Sequence, residues 1–167
     1  MSDREKWSVL DEFPDYAVSD QGRVMTIKTE LIKTPSLNQQ GIPNVLFVVD
    51  GVQHRRALAR LVADMYIPRP HMHFDTPINL NGDRLDCRRE NLMWRPRWFA
   101  MKYHRQFKPG YVPAINKPII ETRSGDEYAN SLEASKVNGI LDDEILIAML
   151  NRTYVFPTHQ SFEIIEK

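Results

Sequence analysis

Cysteine is almost missing from this chain: Cys87 is the only one in 167 residues. A lone thiol excludes an internal disulfide and any zinc site built from several cysteines. Long apolar runs are missing as well, and none approaches the length that spans a bilayer. The opening residues, Met1-Ser2-Asp3-Arg4-Glu5-Lys6, are charged and no apolar stretch follows them, so no secretory leader is expected and a cytoplasmic protein is. Internal repeats and low-complexity tracts are lacking too. Net charge is the last absence: 22 Lys and Arg balance 22 Asp and Glu.

That balance hides a segregation. Arg84 to Lys108 holds eight bases (Arg84, Arg88, Arg89, Arg95, Arg97, Lys102, Arg105, Lys108) against Asp86 and Glu90, a surplus of six positive charges. Glu121 to Lys167 holds nine acids against four bases, a surplus of five negative charges. Such asymmetry points to a polyanion as partner of the middle segment, which the tail would repel. The apolar fraction, 42%, is that of an ordinary folded protein, and the length suits one domain or two to three small ones.

Periodicity gives the elements. Residues 7–34 carry short strand-like pieces separated by turn residues, Pro14, Asp15 and Asp20-Gln21-Gly22. Val45–Val49, Asp50-Gly51 and Val52–Arg56 form the clearest hairpin, because Asp-Gly accepts the positive φ angles of a type I′ turn. Ala57 to Tyr66 reads as a helix, with Leu58, Leu61, Val62 and Met65 on one face and Pro68 and Pro70 ending it. A second helix is expected from about Arg97 to Phe107. Residues 109–116, with Pro109 and Pro113, read as an extended linker. Beyond it come a hairpin (Ile119–Thr122, Glu127-Tyr128), a helix capped by Ser131 and stopped at Asn138-Gly139, and a helix capped by Asp142. The two helices around Asn138-Gly139 fit a helix-turn-helix.

The stretch from Pro77 to Trp94, PINLNGDRLDCRRENLMW, carries the sharpest motif. It resembles the phrase V-D-H-x-D-G-D-x-x-N-N-x-x-x-N-L-x-W of HNH endonucleases, with Gly82-Asp83, Asn91-Leu92 and Trp94 at matching spacing. Further matches stand in the same order as in phage intron-type HNH homing endonucleases. Trp7 and Tyr16–Val24 are similar to the opening of that family's N-terminal module. Arg60–Tyr66 is similar to its H-R-L-V-A-x-x-F phrase, with Ala59 in place of His. Lys117 through Phe162 is similar to its small C-terminal module.

The resemblance implies an α+β chain. Its parts would be an N-terminal β-rich nuclease-associated module (residues 1–40), a ββα-metal, His-Me finger core (41–108), the linker (109–116) and a hairpin plus helix-turn-helix module (117–167). It also implies a host-cell cytoplasmic location if the chain is phage-encoded. In the family an acidic residue and a helix Asn hold one divalent metal, and a His activates water. Here those positions are Ile78, Ala100 and Asn79. An alkyl chain cannot ligate a hard cation, and an amide has no useful basicity. A pseudo-endonuclease is therefore expected, with no catalytic residue, no cofactor and no divalent metal, and with Asn91 kept as a brace of the loop.

Two functions from different classes remain open. In the first, the chain binds double-stranded DNA without cutting it, as a regulatory or accessory factor, through Arg84, Arg88, Arg89, Arg95, Arg97, Trp98, Lys102 and Arg105. The bases would neutralise phosphates and Trp98 or Tyr103 would stack or wedge. In the second, the scaffold binds and inhibits a host or phage protein through the acidic helix start Asp142-Asp143-Glu144, which phosphates would repel. A minor third reading keeps an active nuclease with its metal moved to His71, His73 and Asp75, whose alternating spacing suits a transition metal. Against it stands a plain polar loop.

Overall fold

The computed structural model describes residues 4–166. The chain divides into two compact units, Met1–Pro96 and Arg97–Lys167. Among the described residues no helix is long and apolar enough to cross a membrane.

The first unit opens with four short strands, β1 (Trp7–Val9), β2 (Tyr16–Ser19), β3 (Val24–Thr26) and β4 (Leu31–Ile32), paired as an antiparallel meander in chain order. Strands β5 (Ser36–Leu37), β6 (Pro43–Val49) and β7 (Val52–Ala57) form a second antiparallel sheet. Its β6–β7 hairpin closes on Val49 and Val52, and Asp50 and Gly51 both take positive φ, 50° and 78°, as the expected I′ turn requires. Helix α1 (Leu58–Tyr66) follows at once and buries Leu58, Leu61, Val62 and Ala63. Phe13 stacks on Phe47 at 4.3 Å and Tyr16 meets Phe47 edge-on at 5.0 Å, so the two sheets and α1 share one core. The unit ends in the hairpin of β8 (Thr76–Asn79) and β9 (Leu92–Arg95), joined by a loop whose last turn is a 3-10 helix at Arg89–Asn91.

The second unit begins with helix α2 (Arg97–Arg105). Strands β10 (Ile119–Glu121), β11 (Glu127–Tyr128) and β12 (Phe162–Ile164) make a small antiparallel sheet in the order β11-β10-β12. Helices α3 (Ser131–Asn138) and α4 (Asp142–Asn151) lie between β11 and β12 in sequence. Ile119, Ala134, Ile140, Ile145, Val155 and Phe162 form the core. Gly139 ends α3 in the left-handed region, φ 61°, as the Asn-Gly stop predicts.

Two helix caps are corrected. Asn130, not Ser131, caps α3: its side-chain oxygen accepts from the Glu133 amide at 2.9 Å, and the Glu133 carboxylate accepts from the Ala129 amide at 2.6 Å. Ser131 is instead buried, and its hydroxyl accepts from the Ile115 amide at 2.8 Å. Asp142 is the first residue of α4 rather than its cap, which falls at Leu141 without a side-chain bond. In residues 109–116, Tyr111, Ala114 and Ile115 are bonded to Asp142 and Ser131 of the second unit. The division between Pro96 and Arg97 assigns α2 to the C-terminal unit.

Candidate nucleic-acid interface

The β8–β9 hairpin sets the positions on which chemistry would depend. Ile78 pairs with Met93 and Asn79 with Leu92. Successive strand residues point to opposite faces, yet Ile78 is wholly buried and Asn79 is 4% exposed. Both faces of the strand are thus covered there. The Asn79 amide donates to the Asp86 carbonyl at 3.0 Å. Asn91 donates to the same carbonyl at 2.8 Å and to the Asn81 side chain at 2.9 Å, while its own oxygen accepts from the Asn81 amide at 3.0 Å. Asn79, Asn81 and Asn91 therefore truss the loop from within, with Asn91 in the bracing role expected of it. Ala59 packs beside the core of the first unit, and Ala100 is buried on α2.

The loop's charges are partly matched. Asp86 accepts two bonds from the Arg88 guanidinium, both 2.8 Å, which hold its carboxyl below the usual carboxylate range and raise the Arg88 pKa. Arg84 donates to the Gln40 carbonyl at 3.0 Å. Arg88 and Arg89 are exposed, and Arg84 is partly so. Cys87 is buried under the N-terminal meander, and burial pushes its thiol up to about 12, so it is no nucleophile at neutral pH. Gly22, at φ 78°, comes so close that a Cβ there would lie 3.0 Å from the Cys87 carbonyl, which ties the turn before β3 to this loop. Glycine is required there for both its conformation and its lack of a side chain.

Arg95 does not belong with the other bases. It is 5% exposed and one of its guanidinium nitrogens donates to the Trp94 carbonyl at 2.9 Å, so it is an internal group and not a phosphate contact. Trp94 is a structural anchor. Its indole N–H donates to the Ile67 carbonyl at 2.9 Å, and Arg60 and Arg69 lie 5.2 and 4.5 Å from its ring centre. Both arginines also reach Asp64. Arg60 and Trp94 stand in separate motifs, and nothing local in the sequence says that they meet.

Helix α2 has two faces. Phe99, Ala100 and Tyr103 are buried, so Tyr103 cannot stack on a ligand. Arg97, Trp98, Met101, Lys102 and Arg105 are exposed, at spacings that place them together on the opposite side. The Lys102 ammonium lies 5.7 Å from the Trp98 ring centre.

Of the acidic triplet, Asp142 is fully buried: one carboxylate oxygen accepts from the Tyr111 hydroxyl and from the Ala114 amide, each at 2.8 Å. It cannot present charge to a partner. Asp143 is exposed and Glu144 half-buried. In the loop before β8, the His71 and His73 rings lie 5.0 Å apart, but His71 Nδ1 accepts from the His73 amide and Asp75 accepts from the Thr76 hydroxyl. Among the described residues no three His, Cys, Asp or Glu side chains come together as a metal-ligand set, so His71, His73 and Asp75 are not assembled as one.

Comparison with known proteins agrees with this architecture. Residues 5–47 match the family model described as the NUMOD4 motif. The whole fold is similar to that of the HNH homing endonuclease I-HmuI, in a structure of its DNA binding and cleavage. The TM-score is 0.54 at 18% identity, over 97% of this chain and 99% of that one. No curated protein matches by sequence. The chain thus carries a NUMOD4 motif at residues 5–47 and has a fold similar to that of I-HmuI.

Proposed function

We propose that this protein binds duplex DNA and has lost the ability to cut it. The observation that carries the reading is the filled β8 strand. Ile78 offers no oxygen to a cation, and the buried Asn79 amide is spent on the Asp86 carbonyl. A general base must accept a proton near neutral pH, and a metal-dependent nuclease must hold its ion over the scissile phosphate. Neither residue can do so. I-HmuI, which shares the fold, binds and cleaves DNA; here the binding half of that activity is retained, on the exposed bases of the β8–β9 loop and of α2.

Capture of a protein by the acidic helix start gains no support from the geometry, since Asp142 is internal. The test is an electrophoretic shift of labelled duplex at about 50 and about 150 mM salt with Mg²⁺ present, where phosphate contacts must lose affinity steeply. The products are then run on a denaturing gel. A salt-sensitive shift with intact strands is expected. Mg²⁺-dependent nicks would refute the loss of chemistry, and no shift at the lower salt would refute DNA binding.

A further inference from the structure

Trp98 is the least expected residue on the surface of the second unit. It leaves 52% of its area in water, on a helix that buries Phe99 and Tyr103 completely. Its neighbours nonetheless fix the ring. Phe99 meets it edge-on at 5.8 Å and Phe156 lies tilted against it at 5.7 Å. Met101, 59% exposed, stands on the same helix face. Arg97, Lys102 and Arg105 surround this apolar point within two helical turns, all of them exposed. A rigid, solvent-facing ring ringed by cations is a poor arrangement for a solvated helix, which would gain by burying the indole. It suits a polyanion that also carries flat apolar surface, and nucleic acid is one. Cations set the phosphate register while the ring enters between bases.

We infer that Trp98 is a wedge that inserts at a base step of duplex DNA, held by Phe99 and Phe156 and flanked by the phosphate contacts Arg97, Lys102 and Arg105. This rests on the DNA-binding reading and adds to it a distortion of the duplex. Insertion unstacks one step, which is least costly at flexible pyrimidine–purine steps. Trp98 thus contributes affinity of a kind that salt does not screen, beside cations whose contribution salt does.

The test uses the full chain, a short mixed-sequence duplex with 2-aminopurine at its TA and CA steps, and a salt titration. Wild-type protein is expected to raise the 2-aminopurine fluorescence as the base unstacks. Trp98→Ala is expected to weaken binding about tenfold, with an unchanged slope of log K against log salt. Lys102→Ala is expected to lower that slope by about one. Trp98→Phe keeps a ring and should keep most of the signal. Trp98→Lys adds a cation and serves as the control for folding: a purely electrostatic surface would bind DNA more tightly with it, whereas loss of a wedge weakens binding and abolishes the fluorescence rise. If wild type binds and Trp98→Ala and Trp98→Lys bind at least as well, the wedge is overturned and DNA binding stands. If wild type fails to bind at low salt, the underlying reading falls and the wedge with it.

Discussion

At the scale of single residues, three asparagines brace the β8–β9 loop from within. Asn79 contributes one donor to the Asp86 carbonyl, and Asn91 contributes a second donor there, a bond to Asn81 and an acceptor for the Asn81 amide. Removing Asn79 leaves the carbonyl served, whereas removing Asn91 strips several bonds from one loop. Net hydrogen bonds contribute about 1 kcal/mol each, and a buried group left unpaired costs about 1–3 kcal/mol. Asn79→Ala is therefore expected to lose about 1 kcal/mol, and Asn91→Ala at least twice that. Denaturant unfolding measures both, and equal losses would show that the truss does not depend on Asn91. The resemblance of its motif to that of HNH endonucleases already implied this role for Asn91. The buried state of Arg95 was hidden, because a count of bases along the chain carries no information on which of them the β9 strand turns inward.

At the scale of elements, most of what alternates or recurs was legible and most of what depends on distant packing was not. The β6–β7 hairpin, α1, and the α3–α4 pair follow from period-two or helical spacing closed by Asp-Gly, proline or Asn-Gly. The cap of α3 was misplaced by one residue because Asn130 and Ser131 are both able to cap, and only the pull of Ile115 on Ser131 separates them. The proline-flanked segment before β10 looks solvated in sequence, yet Tyr111 and Ala114 fasten it to Asp142 at the start of α4. Burial and the Asp142 charge raise the Tyr111 pKa, so its hydroxyl stays a donor through the neutral range. Asp142→Ala would leave that hydroxyl and the Ala114 amide without their acceptor, at about 1–3 kcal/mol each. Asp143→Ala touches an exposed side chain and should stay within about 0.5 kcal/mol. Thermal melts of the two variants are expected to differ widely; matching melts would mean that Asp142 does not organise the second unit.

At the scale of the whole molecule, a chain with 22 positive and 22 negative side chains has no net attraction for DNA. On the proposed reading, affinity comes from local surplus, drawn from the bases that reach solvent. Arg84, Arg88 and Arg89 at the loop and Arg97, Lys102 and Arg105 on α2 reach solvent, while Arg95 does not. Each neutralised phosphate contributes about 0.9 to the slope of log K against log salt on duplex DNA, so the slope should not exceed about five in magnitude. Arg88 already shares its charge with Asp86, which pulls the value lower. Replacing exposed Arg89 with Gln should reduce the slope by about one at unchanged stability. Arg95→Gln should do the reverse, lowering the melting temperature while the slope stays at the wild-type value. A salt titration of the three proteins decides the matter. If Arg95→Gln flattens the slope as Arg89→Gln does, Arg95 leaves the interior to reach phosphate, and the DNA-bound form differs from this fold at the end of β9.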